Sequence, residues 1–279
     1  MTLDLAAYDW ILVNSSAGKD SQAMLDVIVE LARAAGVADR IVVVHCDLGR
    51  VEWKGTRELA ERQAAHYGLR FETVRRPQGD LLVQVEQRHA ARIASGKAPA
   101  PPWPSPVNRW CTSDQKRGQV RRLMTSLATE WRGRRRKHPC RILNCMGMRA
   151  DESVKRKRMA PFAHDVKASN GRRHVDTWLP IHAWTVPQVW DRIRASGVPH
   201  HPAYDLGMGR LSCVHCIFAP EAQLMLAAEH NRDLLDAYIA TEERVGYQFR
   251  QDTSLVQIRR RLEAGERGGA DASGGCWNM

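Results

Sequence analysis

Short apolar runs alternate with amphipathic stretches along the first half of the chain. The apolar runs have the length of buried strands, and the run at residues 40–46 is rich in the β-branched side chains that parallel sheets favour. The stretches between them carry apolar side chains at helical spacing. The predicted strands are residues 10–14, 40–46, 69–74 and 141–145. A first predicted helix follows the first strand and includes residues 24–35, and further helices are predicted at residues 52–66, 79–95 and 186–195. This alternation predicts an α/β fold with an open, mostly parallel twisted sheet flanked by helices.

A loop of small residues joins the first predicted strand to the first predicted helix. Small residues let backbone N–H groups approach an anion closely, and the following helix adds the positive end of its dipole. The loop reads Ser16, Ala17, Gly18, Lys19, Asp20, Ser21. Its spacing differs from the Walker pattern. We therefore predict a phosphate-binding loop of another kind, with Lys19 exposed on it. The alternative is a strand-to-helix turn with an Asp or Ser cap.

Polar residues also follow the second and fourth predicted strands, at the edge where ligands of open α/β sheets bind. Asp47 and Gly49 follow the second strand and suit the adenosine part of a nucleotide, although a simple turn would have the same sequence. Arg149, Ser153 and Arg156 follow the fourth strand. Arginines at such a position can clamp anionic oxygens in bidentate fashion. The alternative for this segment is the start of an amphipathic surface helix.

Seven cysteines, an odd number at irregular spacing, argue against a disulfide framework and favour a reducing cytoplasm. Cys213 and Cys216 form a Cys-x-x-Cys half-site for a metal ion, an iron–sulfur cluster or a redox pair. Cys111 precedes Thr112 and Ser113, either of which can cap a following helix. We expect this helix N-terminus and the nearby cations to lower the pKa of the Cys111 thiol. Packed structural thiols are the alternative for all three cysteines.

The formal net charge is +11 and the isoelectric point about 9.7, which favours an anionic partner without separating DNA, RNA and nucleotides. Five of the six residues from 132 to 137 are cationic. This run predicts contacts to nucleic-acid phosphates, and a solvated loop is the alternative. No apolar run approaches the roughly 20 residues of a membrane helix, and the N-terminal residues do not resemble a signal peptide. The chain is therefore predicted to be cytoplasmic and to lack a membrane partner.

The phosphate-binding loop resembles the Ser-Gly-Gly-x-Asp-Ser signature of the PP-loop ATP pyrophosphatases. Ala17 replaces the first glycine, and we expect a φ angle there that an L-residue tolerates. Residues 147–153 and the stretch from 202 to 216 resemble two further signatures, Gly-x-Arg-Ala-x-Glu-Ser and Pro-x-Tyr followed by Cys-x-x-Cys. Both belong to the phosphoadenylylsulfate (PAPS) reductase-like branch. The resemblance covers residues 10–220 and implies an adenine nucleotide alpha hydrolase-like fold.

The resemblance also implies that the chain binds ATP with Mg²⁺ and acts at the α-phosphate. The implied ATP-binding residues are Ser16, Gly18, Lys19, Asp20, Ser21, Asp47, Gly49, Arg149, Ser153 and Arg156. The implied catalytic residues are Lys19, Asp20, Arg149, Cys111, Cys213 and Cys216. The three cysteines are expected to converge beside the nucleotide, either as ligands of a metal or iron–sulfur cluster or as sulfur carriers. Cys145 is an alternative fourth ligand.

Two activities compete within the resembling branch. We favour an ATP pyrophosphatase that adenylates an acceptor oxygen for sulfur transfer, as in the DndC/SspD-type components of DNA phosphorothioation systems. Its implied partners are DNA, a cysteine desulfurase that donates sulfur, and other modification-system proteins. The first alternative is reduction of PAPS or adenylylsulfate, but the reductases' C-terminal Glu-Cys-Gly-Leu-His motif is replaced here by Gly-Cys-Trp-Asn-Met at residues 275–279. The second alternative is a non-catalytic nucleotide-binding DNA adaptor.

The chain is predicted to divide at about residue 220. Residues 1–220 hold all the signatures named above and are predicted to form the PP-loop nucleotide-binding domain. Residues 221–263 are predicted to form a helical extension. Residues 264–279, which are rich in glycine, alanine and serine, are predicted to be a flexible tail.

Overall fold

A computed structural model of the protein describes residues 3–133 and 138–269, and the structural statements below concern those residues. They form six strands: β1 (Trp10–Ser15), β2 (Ile41–Cys46), β3 (Arg70–Val74), β4 (Cys140–Cys145), β5 (Phe162–His164) and β6 (Arg173–Trp178). They also form ten α-helical segments: α1 (Lys19–Ala34), α2 (Thr56–His66), α3 (Leu81–Ala94), α4 (Trp110–Thr112), α5 (Gly118–Gly133), α6 (Val154–Lys157), α7 (Val186–Ser196), α8 (Glu221–His230), α9 (Arg232–Val245) and α10 (Leu255–Glu263).

The six strands form one open sheet in the order β3-β2-β1-β4-β6-β5. All neighbouring strands are parallel except β5, which runs antiparallel to β6 at the edge. The predicted fold class, an open and mostly parallel sheet flanked by helices, is confirmed. The sequence analysis did not predict β5 and β6, because β5 has only three residues and β6 is rich in polar ones. Because β1 pairs with both β2 and β4, the segments that follow these three strands meet at one edge.

Two apolar clusters lie on opposite faces of this sheet. Along β1, Ile11 and Val13 contribute to one cluster, while Trp10 and Leu12 contribute to the other. This alternation follows from the two-residue repeat of a strand. The first cluster includes the buried face of α1, and the second includes the buried face of α5. Packing on both faces explains why β1 and β2 are almost continuously apolar.

The chain divides into two compact units, each built from separate segments. The first unit comprises Met1–Asp47, Gly55–Val74 and Arg117–His201, and it contains the sheet. The second unit comprises Leu48–Lys54, Arg75–Lys116 and Pro202–Met279. Its helices α3, α8, α9 and α10 pack against one another. The predicted boundary near residue 220 falls inside the second unit.

One predicted helix boundary is wrong by four residues. The helix predicted from residue 52 begins instead at Thr56. A short 3-10 turn occupies Gly49–Val51, and Gly55 then adopts a left-handed conformation with a φ of 81° immediately before the helix. Left-handed backbone cannot continue into a right-handed helix, so the helix starts after it. No helix formed by the described residues is long and apolar enough to cross a membrane.

Candidate nucleotide site and cysteine cluster

The loop between β1 and α1 is held by its own serines. The Ser16 N–H donates to Ser21 Oγ at 3.2 Å, and the Ser21 hydroxyl donates to the Gly18 carbonyl at 2.9 Å. The Gly18 N–H donates to Ser16 Oγ at 3.4 Å, and the Ala17 N–H donates to Ser15 Oγ at 3.2 Å. The serine hydroxyls therefore fix the shape of the loop before any ligand binds.

The φ angle of Ala17 departs from the expectation. Ala17 has a φ of 55° and is the one non-glycine residue with a positive φ among the described residues. It thus adopts the left-handed conformation that the glycine of the resembling signature would favour. For an L-residue this costs roughly 1–2 kcal/mol. Strain of this kind concentrates at functional sites, where the surrounding structure enforces it.

Lys19 is the first residue of α1 and is buried, with 3% exposure, so the expected exposed loop lysine is wrong. Its ammonium group lies 3.5 Å from the Asp20 carboxylate. Gly18, at the N-cap of α1, offers no side-chain oxygen to the first turn of this 16-residue helix. A helix N-terminus without a side-chain cap, next to a buried cation, is suited to binding an anion such as phosphate.

The segment after β4 packs directly against this loop. A Cβ atom added at Gly147 would lie 2.7 Å from the carbonyl oxygen of Asp20 and 3.0 Å from the backbone nitrogen of Ser21. Only glycine lets the two backbones approach so closely. The sequence analysis noted Gly147 within a signature without giving it a role. The sequence signal for this role was the position of Gly147, two residues before Arg149.

Arg149 ties the two segments together by charge. It is almost fully buried, and its Nε donates to Asp20 Oδ1 at 2.5 Å. Its Nη1 donates to both oxygens of Asp151, at 2.5 and 2.6 Å, and to the Trp184 carbonyl at 3.2 Å. Burial acts to lower the pKa of Arg149, but Asp20 and Asp151 outweigh it and raise that pKa. The guanidinium therefore stays charged and positions Asp20.

Ser153 and Arg156 belong to the same network. Glu152 is buried, accepts the Arg149 N–H at 2.8 Å and forms a close ion pair with Arg156. Ser153 caps the short helix α6 by accepting the Arg156 N–H at 3.2 Å. Both predicted phosphate ligands thus have partners within the protein. Asp151 and Glu152, which the sequence analysis did not select, supply the balancing charge.

The two residues after β2 fall in different units. The Asp47 N–H donates to the Val74 carbonyl at 2.9 Å in the first unit. Gly49 lies in the second unit with a φ of 68°, and a Cβ there would come within 3.0 Å of the Arg75 guanidinium. The positive φ angle therefore already favours glycine at position 49, whatever ligand the segment binds.

Cys111 lies in α4, and the expected lowering of its pKa is wrong. The helix begins at Trp110, so neither Thr112 nor Ser113 caps it, and a π-helical turn follows at Ser113–Arg117. Burial raises the pKa of the Cys111 thiol, against a smaller opposing effect of Lys116. Removal from water outweighs the nearby cation because a thiolate is costly to bury.

The three cysteines interact electrostatically within the second unit. Burial raises the pKa of Cys213 to about 12; Lys116 opposes this shift, and Cys216 and Cys111 add to it. The Cys213–Cys216 stretch lies on a turn. Among the described residues, one set of three side chains that could hold a metal ion has all its donor atoms within 4.8 Å of one another. That set does not include the three cysteines. A preformed tetrahedral zinc site would need sulfurs about 4 Å apart.

Buried polar groups accompany the cysteines. Among the described residues, the Tyr238 hydroxyl and both ring nitrogens of His215 are buried without a hydrogen-bond partner. Burial raises the pKa of Tyr238, and Cys213 and Cys216 add to that rise. Burial lowers the pKa of His215 to about 3, so this imidazole is neutral. Cys145 instead packs in an apolar cluster of the first unit, as a core thiol.

Two sequence features lie outside the described residues. Residues 134–137, which carry four of the five cations in the run at 132–137, are one of them. Cys276 and the rest of the C-terminal motif are the other. The predictions made for these segments stay predictions.

The sheet and the loop at its edge define an α/β protein with a strand-to-helix turn suited to binding an anion. Comparison with family models assigns the protein to a family within this class. The phosphoadenosine phosphosulfate reductase domain matches residues 11–219, so the chain belongs to this family. This match shows that the chain contains a PAPS reductase-like nucleotide-binding domain.

Two curated proteins are similar to the chain. An adenosine 5'-phosphosulfate reductase of Allochromatium vinosum is 25% identical over 208 residues, which cover 75% of this chain and 68% of the reductase. An uncharacterized 37.8 kDa protein of Escherichia phage 186 is 27% identical over 122 residues, which cover 44% of this chain and 34% of the phage protein.

Solved structures show weaker similarity. The phosphate complex of a PAPS reductase from Candida auris is 15% identical, covers 76% of this chain and 85% of its own, and has a TM-score of 0.48. The U34-tRNA thiolase NcsA from Methanococcus maripaludis, with its 4Fe-4S cluster, is 11% identical, covers 97% of this chain and 80% of its own, and has a TM-score of 0.44.

Proposed function

We propose that the chain is an ATP pyrophosphatase that converts ATP to AMP and pyrophosphate while activating an acceptor oxygen for sulfur transfer. The observation that carries this proposal is Lys19. A buried lysine at the N-terminus of α1, beside an Asp20 that Arg149 holds in place, is suited to a polyphosphate. Sulfonucleotide reduction, by contrast, releases no pyrophosphate.

The proposed reaction begins with the β- and γ-phosphates on the loop. Lys19 and the positive end of α1 offset their charge, and Arg149 keeps Asp20 and the loop in position. The acceptor oxygen attacks the α-phosphorus, the bond to the β-phosphate oxygen breaks, and pyrophosphate leaves. A bound Mg²⁺ would add further charge stabilisation for the leaving group.

Sulfur transfer is assigned to Cys111, Cys213 and Cys216. The terminal sulfur of a persulfide on one of them displaces AMP from the adenylated acceptor. A second cysteine then attacks the remaining S–S bond, and an external dithiol reduces the disulfide that forms. All three belong to the second unit, and Cys216 contributes to the raised pKa of the other two, which supports thiols that lie near one another. The unpartnered Tyr238 hydroxyl and the three cysteines also suit an iron–sulfur cluster, which would supply redox chemistry or bind sulfur.

We propose DNA as the acceptor, in keeping with the +11 charge. Neutralising the five cations from 132 to 137 is expected to flatten the dependence of log affinity for duplex DNA on log salt. An unchanged slope would mean that these residues form only a solvated loop, and would leave the ATP chemistry untouched.

The products formed from ATP test the activity. With duplex DNA and a cysteine desulfurase as sulfur donor present, wild type is expected to release AMP and pyrophosphate in equal amounts, and Lys19→Gln is expected to lose this activity. Because Lys19 is buried, circular dichroism must first show that the variant is folded. Lys167→Gln, which removes an exposed lysine of the same unit, serves as the matched control and is expected to keep full activity. ADP and phosphate as products would contradict the proposal.

Reduction of adenylylsulfate or PAPS is the second candidate, favoured by the family and by the 25% identity to an adenosine 5'-phosphosulfate reductase. Incubation with each sulfonucleotide and a thiol reductant separates the two functions. Release of sulfite, with no pyrophosphate formed from ATP, would replace the pyrophosphatase assignment.

A further inference from the structure

The one set of closely spaced metal-ligating side chains among the described residues lies on the sheet, away from the phosphate-binding loop. We propose that His164, His174 and Asp176 bind a divalent transition-metal ion such as Zn²⁺, which fastens the edge strand β5 to β6. This proposal does not depend on the function proposed above.

The backbone places the three side chains on one face of the sheet. His164 of β5 is the direct cross-strand partner of Asp176 on β6. His174 lies two residues before Asp176 on the same strand, so both point to the same side. Three ligands held by paired strands need little ordering when a metal binds, because the sheet already fixes their positions.

The distances suit a metal with nitrogen and oxygen ligands. Asp176 Oδ1 lies 3.1 Å from His164 Nδ1 and 3.0 Å from His174 Nε2, and all three donor atoms lie within 4.8 Å of one another. Tetrahedral ligands on bonds of ~2.0 Å lie about 3.3 Å apart. Two imidazoles and one carboxylate favour Zn²⁺, Co²⁺ or Ni²⁺ over Mg²⁺ or Ca²⁺.

The environment of Asp176 calls for a cation. The carboxylate is buried beside β4, where its strand partner is Leu143. Its ion pairs among the described residues are with the two imidazoles alone, which are charged only when protonated. A buried carboxylate without a permanent cation is costly. A bound metal ion would supply that charge at neutral pH.

Tyr8 orients the carboxylate from the other side. Its hydroxyl donates to Asp176 Oδ2 at 2.9 Å, which leaves Oδ1 directed at the imidazoles. Hydrogen bonds of this kind to metal-ligating carboxylates are a regular part of metal sites. The imidazoles are half-exposed, with side-chain exposures of 40% and 44%, so a metal ion can enter from solvent.

The site is separate from the candidate nucleotide site. Asp176 pairs with Leu143, which pairs with Ile11 near the start of β1. The phosphate-binding loop follows the other end of β1, after Ser15. A metal here is therefore a structural fastener of the sheet edge rather than a participant in phosphate chemistry.

Cobalt titration of the metal-stripped full-length chain tests the proposal. Wild type is expected to bind one Co²⁺ that gives visible bands without the near-ultraviolet charge-transfer band of thiolate ligands, so cysteine-bound metal is distinguished. His164→Ala and His174→Ala are each expected to weaken this binding by roughly 100-fold or more, since loss of a ligand exceeds the ~10–100-fold effect of losing an orienting partner. His66→Ala, an exposed histidine of the same unit, is the control and is expected to bind like wild type.

Tyr8→Phe provides a second variant that keeps all three ligands. It is expected to weaken Co²⁺ binding by ~10–100-fold, because Asp176 loses the partner that orients it. Absence of the nitrogen- and oxygen-ligated spectrum in wild type would overturn the proposal. So would unchanged affinity in both histidine variants. Unchanged affinity in Tyr8→Phe would overturn the role given to Tyr8.

Discussion

The Arg149 network of the first unit and the cysteine region of the second treat their buried polar groups in opposite ways, although Gln22 and Gln63 of the first unit each bury an amide oxygen without a hydrogen-bond partner among the described residues. In the first unit, the buried Arg149 guanidinium is matched by Asp20 and Asp151, and the buried Glu152 carboxylate is matched by Arg156. In the second unit, the Tyr238 hydroxyl and the His215 ring are buried without a hydrogen-bond partner. The first arrangement satisfies its charges within the protein, whereas the second carries a desolvation cost of about 1–3 kcal/mol for each such group.

This difference bears on what each region does. A network satisfied within the protein holds the phosphate-binding loop in one geometry, so little reorganisation is needed when an anion binds. Buried polar atoms without partners, beside three interacting thiols, instead suit a region whose chemistry brings a further polar group to them. The contrast predicts that substitutions in the two units will differ in size and in sign.

The largest effect is expected at Arg149. Arg149→Met leaves Asp20 with Lys19 as its cation and removes the cation of the half-exposed Asp151, so the loss is expected to approach but not exceed the about 3–5 kcal/mol of a broken buried ion pair. Urea unfolding followed by circular dichroism measures this loss. Arg57→Met is the control, because Arg57 is about half-exposed and pairs with the exposed Glu58 and Glu61 on α2. It is expected to cost less than about 1 kcal/mol. Equal losses would refute the importance given to burial.

The meeting of the two main segments of the candidate nucleotide site was predictable from the sequence, because each segment follows the end of a strand. The loop at 16–21 and the segment from Arg149 to Arg156 follow β1 and β4, which are adjacent in the sheet, and parallel strand ends meet at one edge. Asp151 and Glu152 were missed because their role depends on the buried guanidinium and on the buried Arg149 N–H, which no local pattern reveals.

The second unit was not predictable in the same way. It is assembled from three separated segments, so no single stretch of sequence outlines it. The pKa of Cys111 was predicted in the wrong direction because the nearby lysine and the helix are visible in sequence, whereas burial by distant segments is not. The φ angle of Ala17 was predicted wrongly for a similar reason, because the loop around the residue imposes the positive value.

A moderate effect is expected at Gly147. Gly147→Ala places a methyl group within 2.7 Å of the Asp20 carbonyl, so one backbone must move. Overpacking of this kind costs about 1–3 kcal/mol, and displacement of the loop is expected to abolish ATP binding measured by calorimetry. Gly171→Ala is the matched control, because nothing lies within 4 Å of the added Cβ. If both variants bind ATP like wild type, the contact between the two segments does not position the loop.

The smallest effect, and the most direct test of the comparison, comes from one substitution made in both units. The Tyr67 hydroxyl donates to Asp26 at 2.7 Å in the first unit, so Tyr67→Phe is expected to destabilise by about 1–2 kcal/mol. The Tyr238 hydroxyl of the second unit is buried without a hydrogen-bond partner in the described part of the chain, so Tyr238→Phe is expected to stabilise by about 1 kcal/mol. Native-state hydrogen exchange reads the two units separately, which a single unfolding curve would not. Destabilisation by both substitutions would mean that the Tyr238 hydroxyl is satisfied in solution. The contrast between the units would then have to be abandoned.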